Sequence, residues 1–204
     1  STPQDPRLAI LDGLKKAQIN LKNVTMFTHG TTVATNALIT RRLPRTVMIC
    51  TEGFRDVIEI RRANKEDLWD TYKDVAKPYI KRRDRLTIRE RTDAAGTITV
   101  PLDKHHALAL CRIIKRREAK AVAICFMNSY LNSKNELMMK DILIKEIPDI
   151  AVSVSSQVMP EIFEHERFST TVANAALSPV VVDYTQSLYE NLQESGYTRD
   201  LLLL

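Results

Sequence analysis

Short runs rich in β-branched residues alternate with helix-period segments along almost the whole chain, and that alternation restricts the fold to the α/β class. "VTMF" (24–27), "TVMIC" (46–50), "KAVAICF" (120–126) and "IAVSVSS" (150–156) have the length and apolarity of buried strands. Between the first two, Thr31 to Arg42 predicts a helix with Ala34, Ala37 and Leu38 on its apolar side. Strand, helix and strand within about 30 residues predict a βαβ unit with parallel strands. Asp5-Pro6 opens a helix to about Gln18, and Asp103 caps one whose inner face carries Ala107, Leu110, Cys111 and Ile114. Ser133 and Glu136 have capping-box spacing at the head of a helix to about Glu146. A last helical pattern runs from near Arg167 to about Gln193. Within it, Ser178-Pro179 either breaks the helix or caps a second one. Gly196 closes it, and "LLLL" begins another strand.

The middle of the chain departs from this rhythm. From Arg61 to Pro101 it is charged and irregular until "RLTIRER" and "TITV", which flank Asp93-Ala-Ala-Gly96 and predict an inserted β-hairpin beside a central, mostly parallel sheet. Basic residues are densest from Lys73 to Arg91. With only Tyr72 and Tyr79 available for stacking, a solvated loop and strand explain that run better than a nucleic-acid patch. The net charge of +5 permits an anionic ligand without demanding one. Cys50, Cys111 and Cys125 each lie inside an apolar run, with no C-x-x-C pair, as buried thiols of a reducing compartment would. No apolar stretch has membrane-spanning length and no signal peptide opens the chain, so the expectation is cytoplasmic, with neither membrane nor nucleic acid as partner.

In sheets of this class ligands gather beyond the carboxyl ends of the strands, which directs attention to residues 28–32, 51–56, 127–132 and 156–167. "THGTT" places Gly30 where backbone can approach a ligand, and Thr31 or Thr32 at a helix start that favours an anion. His29 is a candidate donor or general base; an ordinary helix cap is the alternative. "CTEGFRD" offers Glu52, Arg55 and Asp56, as ligand contacts or as a surface ion pair, and "NSY" offers Asn128. In "PEIFEHERF", Glu161 and Glu164 are spaced to share one face of a helical turn as an acid/base pair, next to Arg167. One nearby histidine is too few for a zinc site, so no metal site is expected, and His105-His106 reads as surface.

"HGTTVATNAL", "TEGFRDVIEI", "ERTDAAGTI", "AVAICFMNSY" and "SSQVMPEIFEHERFSTTVANAALSPVV" resemble, in this order and spacing, the hydantoinase A/5-oxoprolinase family, over nearly the whole chain. The resemblance implies part of an actin-like ATPase domain. It also implies ATP with Mg2+, phosphorylation of a carbonyl or enol oxygen, and hydrolysis of a hydantoin, 5-oxoproline or another lactam. The related alternative is a subunit of an ATP-dependent acetone or acetophenone carboxylase. A hydantoinase B-type second subunit, in a homo- or hetero-oligomer, is the implied partner. Through "HGTTVATNA" it raises a site role, toward nucleotide or substrate, for His29, Thr31, Thr32 and Asn36.

One departure stands out. Family members usually carry an Asp-x-Gly-Gly-Thr-x-Thr-Asp phosphate loop upstream of "STP", and this chain has five glycines and no Gly-Gly pair. With "LLLL" at its end, it is expected to be a piece of a longer protein. Residues 1–177 would be the N-terminal region and 178–204 the start of the next, inactive alone. A non-catalytic scaffold subunit is the remaining alternative.

Overall fold

The computed structural model describes residues 6–63, 67, 69–73 and 75–204. In chain order the elements are α1 (Pro6–Lys16), β1 (Phe27–His29), α2 (Val33–Thr40), β2 (Thr46–Thr51) and the short α3 (Val57–Ile60). Next come β3 (Arg85–Ile88), β4 (Arg91–Thr92), β5 (Ile98–Val100), α4 (Lys104–Arg116), β6 (Ala121–Cys125) and α5 (Lys134–Glu146). The chain then forms β7 (Ala151–Val154), the short α6 (Ser155–Val158), α7 (Glu164–Glu194) and β8 (Leu201–Leu203). These elements divide into two units, Ser1–Ile39 with Val180–Leu204, and Thr40–Pro179.

The larger unit is built on a parallel sheet of order β3-β2-β6-β7. Every residue of β2 and β6 is buried, which is why both read as continuous apolar runs instead of alternating ones. Strand alternation sends Val47, Ile49, Val122 and Ile124 to one face, where they cluster with Leu110 and Ile114 of α4 and Met139 and Leu143 of α5. Met48, Cys50, Ala123 and Cys125 face the other way, to Ile58 of α3 and to Phe168, Val172 and Ala175 of α7. Helices on both faces of a parallel sheet give a three-layer α/β unit. All three cysteines are buried free thiols, as their apolar surroundings predict.

Local chemistry fixes several boundaries. The Asp103 carboxylate accepts the His106 N–H at 3.0 Å and starts α4 as expected. The segment "RLTIRER" divides, however. Leu86 and Ile88 are buried, so Arg85–Ile88 joins the main sheet beside β2, and only Arg91–Thr92 pairs antiparallel with β5. The hairpin turn is held by Asp93, whose carboxylate accepts the N–H groups of Ala95 (2.9 Å) and Thr97 (2.8 Å), with Gly96 at φ +82°. The expected capping box is not formed: the Ser133 side chain makes no cap bond, and Glu136 is fully buried in other contacts. The run 150–156 ends as a strand at Val154, because Ser155 and Ser156 turn toward the Glu136 carboxylate and begin α6. α7 starts at Glu164, before Arg167, and continues through Pro179 as one helix, so neither a break nor a restart occurs there.

In the smaller unit β1 and β8 form a parallel pair, with Phe27 opposite Leu201 and His29 opposite Leu203. Leu21, Tyr184, Leu188, Leu192 and Tyr197 make its core. The Tyr197 hydroxyl accepts the Phe27 N–H (2.9 Å) and donates to the Asp200 carbonyl (3.0 Å). This corrects three expectations. The strand occupies Phe27–His29, not 24–27, so His29 lies on it; its partner is β8, not β2; and 24–50 is therefore not a βαβ unit within one sheet. α2 is also shorter than expected, since Arg41 adopts φ +54° immediately after it. The expected Asp5 cap lies outside the described residues. Among the described residues, no helix is long and apolar enough to cross a membrane.

Candidate functional site

In the smaller unit the "HGTT" segment turns from β1 into α2. His29, the last residue of β1, is half-buried, and its Nε2 lies 2.7 Å from the hydroxyl of Tyr184. Its carbonyl accepts the N–H of Leu204 at 3.0 Å. Gly30 is exposed and has open space where a Cβ would stand. Thr31 Oγ1 accepts the Val33 N–H at 3.3 Å, and Thr32 Oγ1 accepts from the Asn36 amide at 3.2 Å. Thr31 thus holds a backbone N–H of the first turn of α2, Thr32 and Asn36 are joined side chain to side chain across it, and Gly30 leaves the approach to that turn open. Tyr184, 155 residues further along, is the contact that the sequence did not point to.

In the larger unit, the carboxyl ends of β2, β6 and β7 converge on a buried polar cluster. Glu90 is 3% exposed; it accepts from the Thr51 hydroxyl and, at 2.9 Å, from the Asn135 amide. Burial pushes its carboxyl above the usual glutamate range, and those two hydrogen bonds oppose the shift. Thr51 Oγ1 also accepts the Met127 N–H at 2.8 Å, tying β2 to the end of β6. Glu136, wholly buried, accepts from Phe126 N–H (2.8 Å), the Ser155 hydroxyl (2.7 Å) and Ser156 N–H (2.9 Å). Ser129 and Ser155 are 3.1 Å apart.

Arg167 closes this cluster. It is fully buried, and its guanidinium donates to the carbonyls of Glu161, Ile162 (3.3 Å) and Phe126 (3.1 Å). Its charge lies near the Tyr130 and Phe168 rings, at 5.4 and 5.3 Å. Burial pulls it below the usual arginine range, and Glu136 is the foremost opposing charge. Through these main-chain carbonyls Arg167 holds the 161–162 segment against the end of β6, while its buried Nε has no hydrogen-bond partner among the described residues.

The other sequence candidates separate. Asp56 is bound by Arg82 (2.9 and 3.0 Å) and Arg85 (3.3 Å), and the Arg82 hydrogen bond holds its carboxyl below the usual range. Asp56 is thus in an ion pair, with arginines 26 and 29 residues further along and not within its own segment. Glu52 is exposed and Arg55 half-buried just beyond β2. Asn128 has φ +52°, and its amide donates to the Thr92 carbonyl at 3.0 Å, fastening the hairpin to the end of β6. Glu161 precedes α7 and Glu164 is its first residue, so the two do not share a helical turn as expected. His105 is exposed and His106 half-buried at the start of α4. Among the described residues, no group of three His, Cys, Asp or Glu side chains is placed to hold a metal ion.

The layered sheet, with its polar cluster at the carboxyl ends of the strands, defines the class as α/β with a mostly parallel sheet, and the solved structures it matches have an actin-like ATPase-type fold. The crystal structure of the ATP-dependent caprolactamase from Pseudomonas jessenii matches the whole chain with a TM-score of 0.92 and 32% identity, covering 31% of that chain. The family model for the hydantoinase/oxoprolinase N-terminal region matches residues 1–147, and the chain belongs to that family. The caprolactamase alpha subunit of the same organism is 34% identical over 207 residues, 96% of this chain and 30% of its own length. The acetophenone carboxylase gamma subunit of Aromatoleum aromaticum is 27% identical over 229 residues, 100% of this chain and 31% of its own. The chain thus spans about three-tenths of the length of these relatives.

Proposed function

We propose that the chain is part of an ATP-dependent enzyme that phosphorylates the carbonyl oxygen of a cyclic amide and so opens the ring with water. The observation that carries this reading is the likeness to the caprolactamase, 34% in sequence over 96% of the chain and 0.92 in fold. Lactams, hydantoins and 5-oxoproline share the chemistry at issue. Each has an amide carbonyl too stable for water to attack unaided, and moving phosphate onto its oxygen makes the carbon electrophilic. Fixed donors and positioning then supply most of the rate.

Within this reading, the open approach at Gly30 and the start of α2 seat an anionic group of nucleotide or substrate, with Thr31, Thr32 and Asn36 shaping it. His29, held by Tyr184, is the candidate donor or base. Glu52 and Arg55 keep a binding role beyond β2, whereas Asp56, Asn128 and Arg167 act by holding the scaffold. The described residues provide no metal cluster of their own, so Mg2+ in this proposal arrives with the nucleotide phosphates. The N-terminal region extends to about residue 177, with the next beginning near Ser178, and a second, hydantoinase B-type subunit completes a cytoplasmic enzyme.

The alternative is a ketone carboxylase subunit, favoured by the 27% identity to the acetophenone carboxylase gamma subunit over the full chain. Phosphate would then activate an enol oxygen, with carbon dioxide as acceptor in place of water. ATP consumption by the complete protein with its partner separates the two. Dependence on a lactam, hydantoin or 5-oxoproline supports ring opening, and dependence on ketone plus bicarbonate overturns it.

A further inference from the structure

At the opposite, amino-terminal ends of the same strands lies a second feature. Thr46 and Arg85, the first residues of β2 and β3, border a cleft of about 760 Å³. Its lining brings together basic residues from two separated stretches, 41–45 and 77–85. Seven lining residues are basic and two are acidic, a net of +5 by count, which equals the formal charge of the whole chain. Asp56, just outside the lining, offsets part of this through Arg82 and Arg85.

The pairing pattern shows where positive charge is left over. Asp84, 5% exposed, is the single carboxylate facing three arginines: Arg45 at 3.1 Å, Arg117 at 3.2 Å and Arg83 at 3.7 Å. Among the described residues, Arg41 is fixed without any carboxylate. Its guanidinium donates to the carbonyls of Lys77 (2.6 Å) and Pro78 (3.3 Å) and lies 5.0 Å over the Tyr79 ring. Lys77 and Lys81 add exposed ammonium groups with no carboxylate in ion-pair range among the described residues. Fixing a cation on carbonyls and a ring, and crowding three others around one buried acid, leaves a site pre-organised for an anion from solution.

We propose that this cleft binds a small polyphosphate anion. Its volume lies in the range of small-ligand pockets. Arg41, held over the Tyr79 ring, sets a fixed cation at the cleft where phosphate groups would bind. Within the larger unit it lies at the amino-terminal ends of β2 and β3, opposite the buried polar cluster. The inference is independent of the lactam or ketone question.

The test uses the complete protein and inorganic pyrophosphate, with binding read by calorimetry. The variant combines Lys77→Ala, Lys81→Ala and Arg83→Ala, three exposed side chains whose loss spares the core. A control removes the same charge elsewhere in the unit, by Lys104→Ala, Arg112→Ala and Lys145→Ala, also exposed. The cleft variant is expected to weaken pyrophosphate binding at least about tenfold, with the control within about twofold of the parent. No binding by the parent at millimolar pyrophosphate, or equal losses in both variants, overturns the proposal. So does a single-stranded RNA outcompeting pyrophosphate at the cleft.

Discussion

His29 Nε2 and the Tyr184 hydroxyl are 2.7 Å apart, joining the last residue of β1 to a tyrosine that is 7% exposed in the core of the smaller unit. One hydrogen bond therefore fixes the orientation of the imidazole and leaves its other nitrogen for chemistry. Tyr184→Phe keeps the ring in the core and removes only this bond. The expected outcome is a fall in kcat of about tenfold, because a mispositioned acid or base loses much of its contribution, with a stability loss of only about 1 kcal/mol. Steady-state kinetics beside urea unfolding checks both. An unchanged kcat would leave the pair a structural contact.

Thr31 and Thr32 separate a cap from a binding site. Thr31→Val removes the acceptor for the Val33 N–H, and Thr32→Val the acceptor for the Asn36 amide. A cap alone costs about 1 kcal/mol of stability. Loss of an anion seat also weakens ATP or substrate binding, which appears as a raised KM in the complete enzyme. Stability loss with unaltered kinetics would restrict these residues to capping.

Glu90 gives the larger unit a pH dependence of defined sign. Burial raises its folded-state pKa above the ordinary value, so the folded state holds its proton more firmly than the unfolded chain. The stabilisation is fully present below the ordinary glutamate pKa and is lost as pH rises through the raised one. Glu90→Gln carries no titrating group. Its unfolding midpoint, followed from acid to neutral pH, is expected to lose that decline. A variant retaining the full decline would assign it to another group.

The thiols are expected to be inert. Burial pushes Cys50 up to about 12 and Cys111 to about 11, and raises Cys125 well above the ordinary range. A thiolate-selective reagent should label none of the three in the native protein and all three in denaturant. Labelling of the native state would place a cysteine at an accessible site.

The α/β class and the central strands were legible in the sequence, because strands buried on both faces are written as unbroken apolar runs such as "AVAIC". Asp103 was legible for a similar reason: its cap bond is local. What escaped was set by distant partners. Glu136 has capping-box spacing, yet the end of β6 and the start of α6 claim its carboxylate. Glu90 looked like one charge in a solvated run, and only Thr51 and Asn135, 39 and 45 residues away, make it part of a buried cluster. The pairing of β1 with β8 spans nearly the whole chain, and no local pattern encodes such a register. "HGTT" announced a strand-to-helix turn correctly, whereas Tyr184 carried no signal beyond an aromatic at helical spacing.

The central claim is phosphorylation of a substrate carbonyl oxygen, and the fate of that oxygen tests it directly. The complete protein with its partner is given ATP and a lactam whose carbonyl carries heavy oxygen. The carbonyl oxygen takes the terminal phosphate as ADP leaves, water adds at the activated carbon, and expulsion of the ring amine leaves an acyl phosphate. Hydrolysis of that acyl phosphate at carbon releases inorganic phosphate bearing the substrate's oxygen. Heavy oxygen in the phosphate, matched to ring opening, is the predicted result. Phosphate free of label with no acyl phosphate trapped by hydroxylamine, or no lactam-dependent use of ATP, would contradict the account.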